Sequence, residues 1–136
     1  MQYVRFRIDF APGCSIGPGK IDLLEHIART GSIRQAARAL RMSYRRAWLL
    51  VDNINQSFLE RATTASVGGA GGGGVELTSF GSGLVRRYRN AAKRIDRLAR
   101  SEFAGIARKA TAPRAASAGA SGRKRLSKTA VRTAHR

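Results

Sequence analysis

The sequence predicts a mainly α-helical fold with a small β component, and three observations lead to this class. Apolar side chains recur at helical spacing in four segments, which are 20–30, 32–40, 43–55 and 79–108. Residues 2–10 instead alternate apolar and polar side chains, as a half-buried strand does. The glycine tract at 68–74 cannot be helix or packed strand, and it fits the tip of a two-stranded hairpin.

The composition favours a polyanion as the partner of a single small domain. The 136 residues include 26 Lys and Arg but 8 Asp and Glu, which gives a formal net charge of +18. Such an excess attracts nucleic acid or an anionic membrane surface. No apolar run approaches the roughly 18 residues of a membrane span, and no signal peptide follows Met1. We therefore expect a cytoplasmic, nucleoid-associated protein without membrane contact.

The residues that would support metal binding or catalysis are scarce. Cys14 is the single cysteine, so neither an intramolecular disulfide nor a CxxC metal site can form. His26 and His135 are too few for a zinc site and have no evident catalytic partner. The carboxylates are scattered, without an acidic dyad or a nucleophile-base pair. We expect no enzyme activity, no metal and no cofactor.

The N-terminal strand and the helix after it should support the central part of the chain. The strand should be followed by a loop, because residues 11–19 contain two prolines and three glycines. The helix over 20–30 should end at Gly31, a residue type that commonly caps helix C-termini. The predicted buried positions are Val4, Phe6, Ile8 and Phe10 in the strand and Ile21, Leu24, Ile27 and Ala28 in the helix.

Residues 32–55 predict two helices joined by a tight turn. The Ser32 hydroxyl can accept the N–H of Gln35 while the Gln35 side chain reaches back to the Ser32 N–H, which is a capping box. Ser43 supplies a second N-cap after a short connector. The apolar faces are Ile33, Ala36, Ala37 and Leu40 in the first helix and Ala47, Trp48, Val51 and Ile54 in the second.

The first turn of the second helix carries residues suited to DNA contact. Tyr44, Arg45 and Arg46 lie outside the apolar stripe of that helix. A helix, a short turn and a second helix that begins with such residues is the arrangement that enters a DNA major groove. The alternative is two solvated helices of an ordinary small domain, because charged helix faces usually only face water.

The glycine tract and the segment after it predict a two-stranded wing. Residues 75–78 are long enough for one returning strand. An anion-cradling glycine loop is the alternative, but no GxxxxGK[ST] pattern is present and the neighbouring elements form no βαβ unit. The wing glycines are Gly68, Gly69, Gly71, Gly72, Gly73 and Gly74.

The last predicted helix begins at a cap from Thr78 or Ser79 and runs to about residue 108. A helix of about thirty residues is too long for one small core, so we expect its apolar seam to pack against a second copy in a homodimer. The alternative is that this seam packs wholly within one chain. Residues 1–108 then form one domain, and 109–136, with eight Lys or Arg and no acidic residue, a disordered basic tail. The seam consists of Leu84, Tyr88, Ala91, Ile95 and Leu98.

Together these segments resemble a known family. SYRRAW at 43–48 and GGGGVELTSFG at 71–81 are its most specific parts, within a resemblance that runs from about residue 3 to about residue 105. The chain is similar there to the N-terminal winged helix-turn-helix domain of the ModE family of molybdenum-responsive transcription regulators, which are relatives of the LysR-type regulators.

The resemblance implies a homodimer that binds a palindromic operator in double-stranded DNA. The helix after Ser43 would enter the major groove, the wing would contact the flanking backbone, and the long helix would contribute to the dimer interface. Trp48 would lie in the core and lock the two helices together. The residues implied in DNA contact are Ser43, Tyr44, Arg45 and Arg46, with Ser32 and Arg34 touching phosphates.

Three functions follow from these observations. The leading hypothesis is a sequence-specific DNA-binding transcription regulator with a link to molybdenum metabolism. A nucleoid-type architectural protein with weak sequence preference is the second, in which the basic tail and the arginine-covered long helix would dominate and bind phosphates without reading sequence. A molybdate or pterin carrier is the third. Full-length ModE regulators carry C-terminal oxyanion-binding modules, whereas this chain ends in the tail, so we do not expect molybdate binding.

Overall fold

The computed structural model describes residues 4–67 and 73–111 and confirms the predicted fold class, a mainly α winged helix with a small β component. No helix in this described part is long and apolar enough to cross a membrane. The elements in chain order are β1 (Ile8–Ala11), β2 (Cys14–Ile16), α1 (Pro18–Thr30), α2 (Ile33–Ala39), α3 (Tyr44–Ser57), β3 (Thr63–Ser66), β4 (Gly74–Leu77), α4 (Ser79–Glu102) and α5 (Ala104–Ala107).

The central core lies where α1, α2 and α3 meet. Ala36 and Ala37 of α2 are buried, and their short side chains let the helices approach closely. Of the apolar positions predicted for α1, Ile21, Leu24 and Ile27 are buried, but Ala28 is exposed. The main cluster of buried residues is formed by Leu23, Ile27, Ala36, Ala37, Ala47 and Val51.

The predicted helix ends are confirmed by their hydrogen bonds. Gly31 has φ +68°, and its N–H donates to the Ile27 carbonyl oxygen at 2.8 Å, closing α1. The Ser43 hydroxyl accepts from the Arg46 N–H at 3.1 Å and fixes the first turn of α3. These local bonds fix the end of α1 and the start of α3.

The capping box at the start of α2 is confirmed on one side only. The Ser32 hydroxyl accepts from the Gln35 N–H at 3.2 Å, as predicted. The predicted return bond from the Gln35 side chain is wrong, because the Ser32 N–H donates to the Thr30 hydroxyl at 3.3 Å. Thr30 lies in the last turn of α1 and therefore links the end of α1 to the start of α2.

The N-terminal strand is shorter than predicted, and the predicted loop after it contains a second strand. β1 begins at Ile8 and pairs antiparallel with β2, with Ile8 opposite Ile16. Phe10, expected on the buried face, is 54% exposed. Phe6 instead packs on α4, where its ring stacks on Tyr88 with the centroids 4.4 Å apart.

The two strands of the wing, β3 and β4, pair antiparallel from Thr63–Leu77 to Ser66–Gly74, as predicted. The predicted wing tip, including Gly68, Gly69, Gly71 and Gly72, lies outside the described residues. The Val75 N–H donates to the Gly31 carbonyl oxygen at 3.0 Å, so the wing is fixed to the end of α1.

The long helix α4 ends at Glu102, earlier than the predicted end near residue 108, and Thr78 caps its start. Phe103 has ψ 13°, which departs from helical geometry, and the short α5 follows it. Gly105 lies just after this break, and a glycine costs about 1 kcal/mol relative to alanine in a helix interior. The early end lies at Phe103, whose backbone interrupts the helix, while Gly105 lies within α5 and weakens that short helix.

Candidate nucleic-acid interface

The start of α3 presents a polar, cationic surface to solvent. Ser43, Tyr44, Arg45 and Arg46 are all exposed. The opposite side of the helix is buried in the core through Ala47, Val51 and Ile54. The residues predicted to contact DNA therefore lie together, and the core holds the helix that carries them.

The starts of α2 and α3 contact each other through a cation-π pair. The Arg34 guanidinium carbon lies 4.7 Å from the centroid of the Tyr44 ring. This contact holds Arg34 next to the first turn of α3. A shallow groove here is lined by Ser32, Ile33, Arg34, Tyr44, Gly73, Gly74 and Val75.

The base of the wing approaches this groove closely because Gly74 has no side chain. A Cβ atom at Gly74 would lie 2.9 Å from the Gly31 carbonyl oxygen and would collide with the Ser66 hydroxyl. Any larger residue would push the wing away from the end of α1. The structure thus brings Gly73 and Gly74 to the same groove as Ser32 and Arg34.

A second depression, of about 630 Å³, lies on the opposite flank of α3. It is bordered by the β1–β2 turn, the start of α1 and the side chains of Arg45, Arg46 and Leu49. The Lys20 ammonium donates to the Ser15 carbonyl oxygen at 2.8 Å and to Asn53 Oδ1 at 2.6 Å. Burial lowers the pKa of Lys20 from its ordinary value. Sequence reasoning missed this residue, whose partners are brought together only by the fold.

Trp48 is not in the core, contrary to the prediction. Its side chain is 48% exposed and lines a groove between α3 and the wing, together with Arg61 and Thr64. Ala47 and Val51 already fill the core side of α3, and Trp48 lies about 100° further around the helix than Ala47. The large indole therefore lies at the flank of α3 next to the wing.

One of the arginines on α4 is engaged within the chain. Arg89 donates from Nε to Glu25 Oε1 at 2.6 Å and from Nη2 to Asp22 Oδ1 at 2.7 Å. The hydrogen bonds to Glu25 raise the pKa of Arg89, and Arg89 in turn lowers the pKa of Glu25. Arg89 thus joins α4 to α1. It is less free to bind phosphate than the exposed arginines of that helix, which include Arg86, Arg87, Arg94 and Arg97.

The predicted dimer seam divides into two parts. Leu84 packs on the buried core, and Tyr88 is 5% exposed and donates its hydroxyl to the Phe6 carbonyl oxygen at 2.7 Å. The second part is an apolar groove lined by Ala91, Arg94, Ile95 and Leu98. Leu98 is 62% exposed, and Phe103 and Ile106 continue the exposed apolar side chains beyond it.

Comparison with known proteins supports the resemblance found in the sequence. No protein-family model matches the chain. Over 75 residues, 52% of its length, the chain is 44% identical to the DNA-binding transcriptional dual regulator ModE of Escherichia coli K12. The chain is similar to ModE proteins. The match covers 27% of that ModE, so the chain spans less than a third of its length.

Two further relatives match this chain over a similar number of residues. The molybdenum transport protein ModE of Azotobacter vinelandii is 38% identical over 85 residues, which are 62% of this chain and 32% of the relative. The molybdenum-pterin-binding protein MopB of Rhodobacter capsulatus is 41% identical over 76 residues, which are 56% of this chain and 28% of the relative. Two of these three relatives are thus named for molybdenum, and the ModE of Escherichia coli for DNA binding.

The described part of the chain offers no cluster of metal ligands. Among residues 4–67 and 73–111, no group of three or more His, Cys, Asp or Glu side chains is placed to hold a metal ion. Cys14 is buried, and its thiol donates to the Ser57 carbonyl oxygen at 3.2 Å.

Proposed function

We propose that the chain binds double-stranded DNA as a sequence-specific transcription regulator and acts as a homodimer on a palindromic operator. The observation that carries the proposal is the first turn of α3, where Tyr44, Arg45 and Arg46 are exposed beside the start of α2. The net charge of +18 and the named function of the Escherichia coli relative support it.

In this proposal, phosphate contacts supply most of the affinity, and α3 distinguishes one DNA sequence from another. The exposed Arg45 and Arg46 side chains can each pair bidentately with O6 and N7 of a guanine in the major groove. Ser32 and Arg34 would bind phosphates at the N-terminus of α2, where the helix dipole favours an anion. The wing would lie against the flanking backbone.

The homodimer would form through the second part of the α4 seam. Ala91, Ile95 and Leu98 face a groove that no other described part of the chain covers. A second copy packed there would remove exposed apolar surface from water, at roughly 25 cal/mol per Å². Leu84 and Tyr88 pack within the chain, so they would hold α4 against its own domain rather than contact the partner.

Arg46→Ala should weaken binding to the preferred sequence by about 1–3 kcal/mol, because a bidentate base contact is lost. Binding to random DNA should change much less. Gel-shift titrations of both duplexes measure the difference. The matched control is Arg87→Ala, which removes another exposed arginine, from α4. Equal losses on both duplexes, or the same specific loss in the control, would refute base reading by Arg46.

The intrinsic fluorescence of Trp48 tests, without an added label, which face of the protein contacts DNA. Trp48 is the single tryptophan of the chain and is 48% exposed beside the wing. Contact with a duplex should change its fluorescence in proportion to complex formation. The titration should saturate at the same concentration as the gel shift. Emission that stays constant while the gel shift is complete would place the DNA elsewhere on the molecule.

The second candidate function is architectural DNA binding with little sequence preference. It is favoured by the exposed arginines of α4 and by the predicted basic tail, most of which lies outside the described residues. Deleting residues 109–136 separates the two functions. For a regulator, the truncated chain should keep its preferred sequence and show a shallower salt dependence, because fewer counterions are released. Loss of all binding would favour the architectural function.

The link to molybdenum is the remaining part of the proposal. Relatives are named for molybdenum transport and for molybdenum-pterin binding, so we propose that the regulated genes serve molybdenum metabolism. Binding of molybdate or a pterin by this chain is the less favoured alternative, because it rests on the names of relatives alone.

A further inference from the structure

Leu49 is a large apolar side chain of α3 that is exposed beside Arg45 and Arg46. It is 49% exposed and lies about 200° around α3 from the buried Ala47, at the outermost edge of the helix. Arg45 lies one turn earlier on the same edge and is also exposed. Sequence reasoning passed over Leu49, which belongs neither to the predicted apolar stripe of this helix nor to the polar residues of its first turn.

The surroundings of Leu49 identify the kind of partner that would cover it. Arg45, Arg46 and the ammonium of Lys20 line the same depression as Leu49. Cationic groups around an apolar centre fit a polyanion that carries an apolar feature of its own. In duplex DNA that feature is the 5-methyl group of thymine, which projects into the major groove where α3 would lie.

We propose that Leu49 contacts the 5-methyl group of a thymine and is a specificity-determining residue of α3. This inference rests on the proposed function, since it requires α3 in the major groove. Leu49 lies about 6 Å along the helix axis from Arg45 and on the same edge of α3. The thymine should therefore lie close to the base that Arg45 contacts.

The test replaces thymine with deoxyuridine, which removes the methyl group and leaves every hydrogen-bonding atom of the base in place. A preferred duplex is first selected from random sequences with the full chain. Each thymine of a half-site is then replaced in turn. We expect one replacement to weaken binding by about fourfold, the factor for one buried methyl group. The Leu49→Ala protein should bind the thymine and deoxyuridine duplexes equally well.

The matched control is Leu59→Ala, which truncates a fully exposed leucine outside α3. It should keep the fourfold preference for thymine. Because each protein is compared with itself on two duplexes, a change in the amount of folded protein cancels from the ratio.

Three outcomes would overturn the inference. If the wild-type chain binds every deoxyuridine duplex as tightly as the thymine duplex, or if Leu49→Ala keeps the fourfold preference, Leu49 does not contact a thymine methyl group. If the selection yields no preferred sequence, both the regulator function and the role of Leu49 fail. A clear preferred sequence without any methyl effect refutes the role of Leu49 alone.

Discussion

Gly81→Ala should lower the free energy of unfolding by about 3 kcal/mol. Gly81 is buried in the first turn of α4, where the helix crosses the segment that leads into the wing. A Cβ atom there would collide with the carbonyl oxygen of Ala62 and lie 2.9 Å from its carbonyl carbon. Both are backbone atoms, so neither can rotate away, and α4 or the wing would have to shift.

Gly83→Ala is the matched control, two residues along the same helix. The nearest atom to a Cβ at Gly83 is Nη2 of the flexible Arg86 side chain, at 3.6 Å. This substitution should be neutral or raise stability by up to about 1 kcal/mol, since alanine favours a helix more than glycine does. Urea unfolding of the two variants gives the comparison. Equal stabilities would show that α4 does not pack on Ala62 as described.

Asn55→Ala should lower the free energy of unfolding by about 3 kcal/mol and make the base of the wing less rigid. Asn55 is buried at the end of α3, and its Oδ1 accepts from the N–H groups of Ala62 and Thr63 at 2.9 and 3.1 Å. Its Nδ2 donates to the Thr63 hydroxyl at 2.9 Å. Truncation leaves these buried polar groups without a partner, and each such group costs about 1–3 kcal/mol.

Amide hydrogen exchange measures this effect locally as well as globally. The amides of Ala62 and Thr63 should exchange faster in Asn55→Ala by more than the loss of global stability explains. Gln56→Ala is the control, because Gln56 is exposed on the same helix and bonds only to Asp52 among the interactions described for its side chain. It should change stability by less than about 0.5 kcal/mol. Unchanged exchange at Ala62 would contradict the role given to Asn55.

The parts of the fold predicted correctly are those determined by nearby residues. Ser43 caps α3 through a residue three positions on, and Gly31 ends α1 through its own positive φ. The strands of the wing are likewise recognisable because a glycine tract separates them. Such signals depend on a few residues of sequence and little on the rest of the chain.

The errors occurred where distant segments decide the structure. Phe6 leaves the predicted strand because the ring of Tyr88 offers it a stacking partner. Cys14 and Ile16 are both buried, and this alternation could have indicated β2, but the flanking prolines and glycines obscured it. Trp48 is exposed because α1 and α2 pack on the side of α3 that carries Ala47 and Val51, and the side that carries Trp48 faces the wing instead.

The exposure of the residues predicted to contact DNA could be foreseen from the sequence, but the groups around them could be foreseen only in part. The exposed first turn of α3 follows from the position of the apolar stripe. The pairing of Arg89 with Asp22 and Glu25 joins residues far apart in sequence, and periodicity alone cannot distinguish Arg89 from the exposed arginines around it. The same limit applies to Lys20, which becomes part of the site only when α1 and α3 meet.

The central claim, that two copies of α3 read a palindromic operator, is tested most directly by selecting bound duplexes from random-sequence DNA with the full chain. The recovered sequences should contain an inverted repeat whose half-sites are about 10 base pairs apart or a multiple of that spacing, since two α3 helices enter successive major grooves. Recovery of no enriched sequence, or of a single half-site without its inverted copy, would contradict the claim.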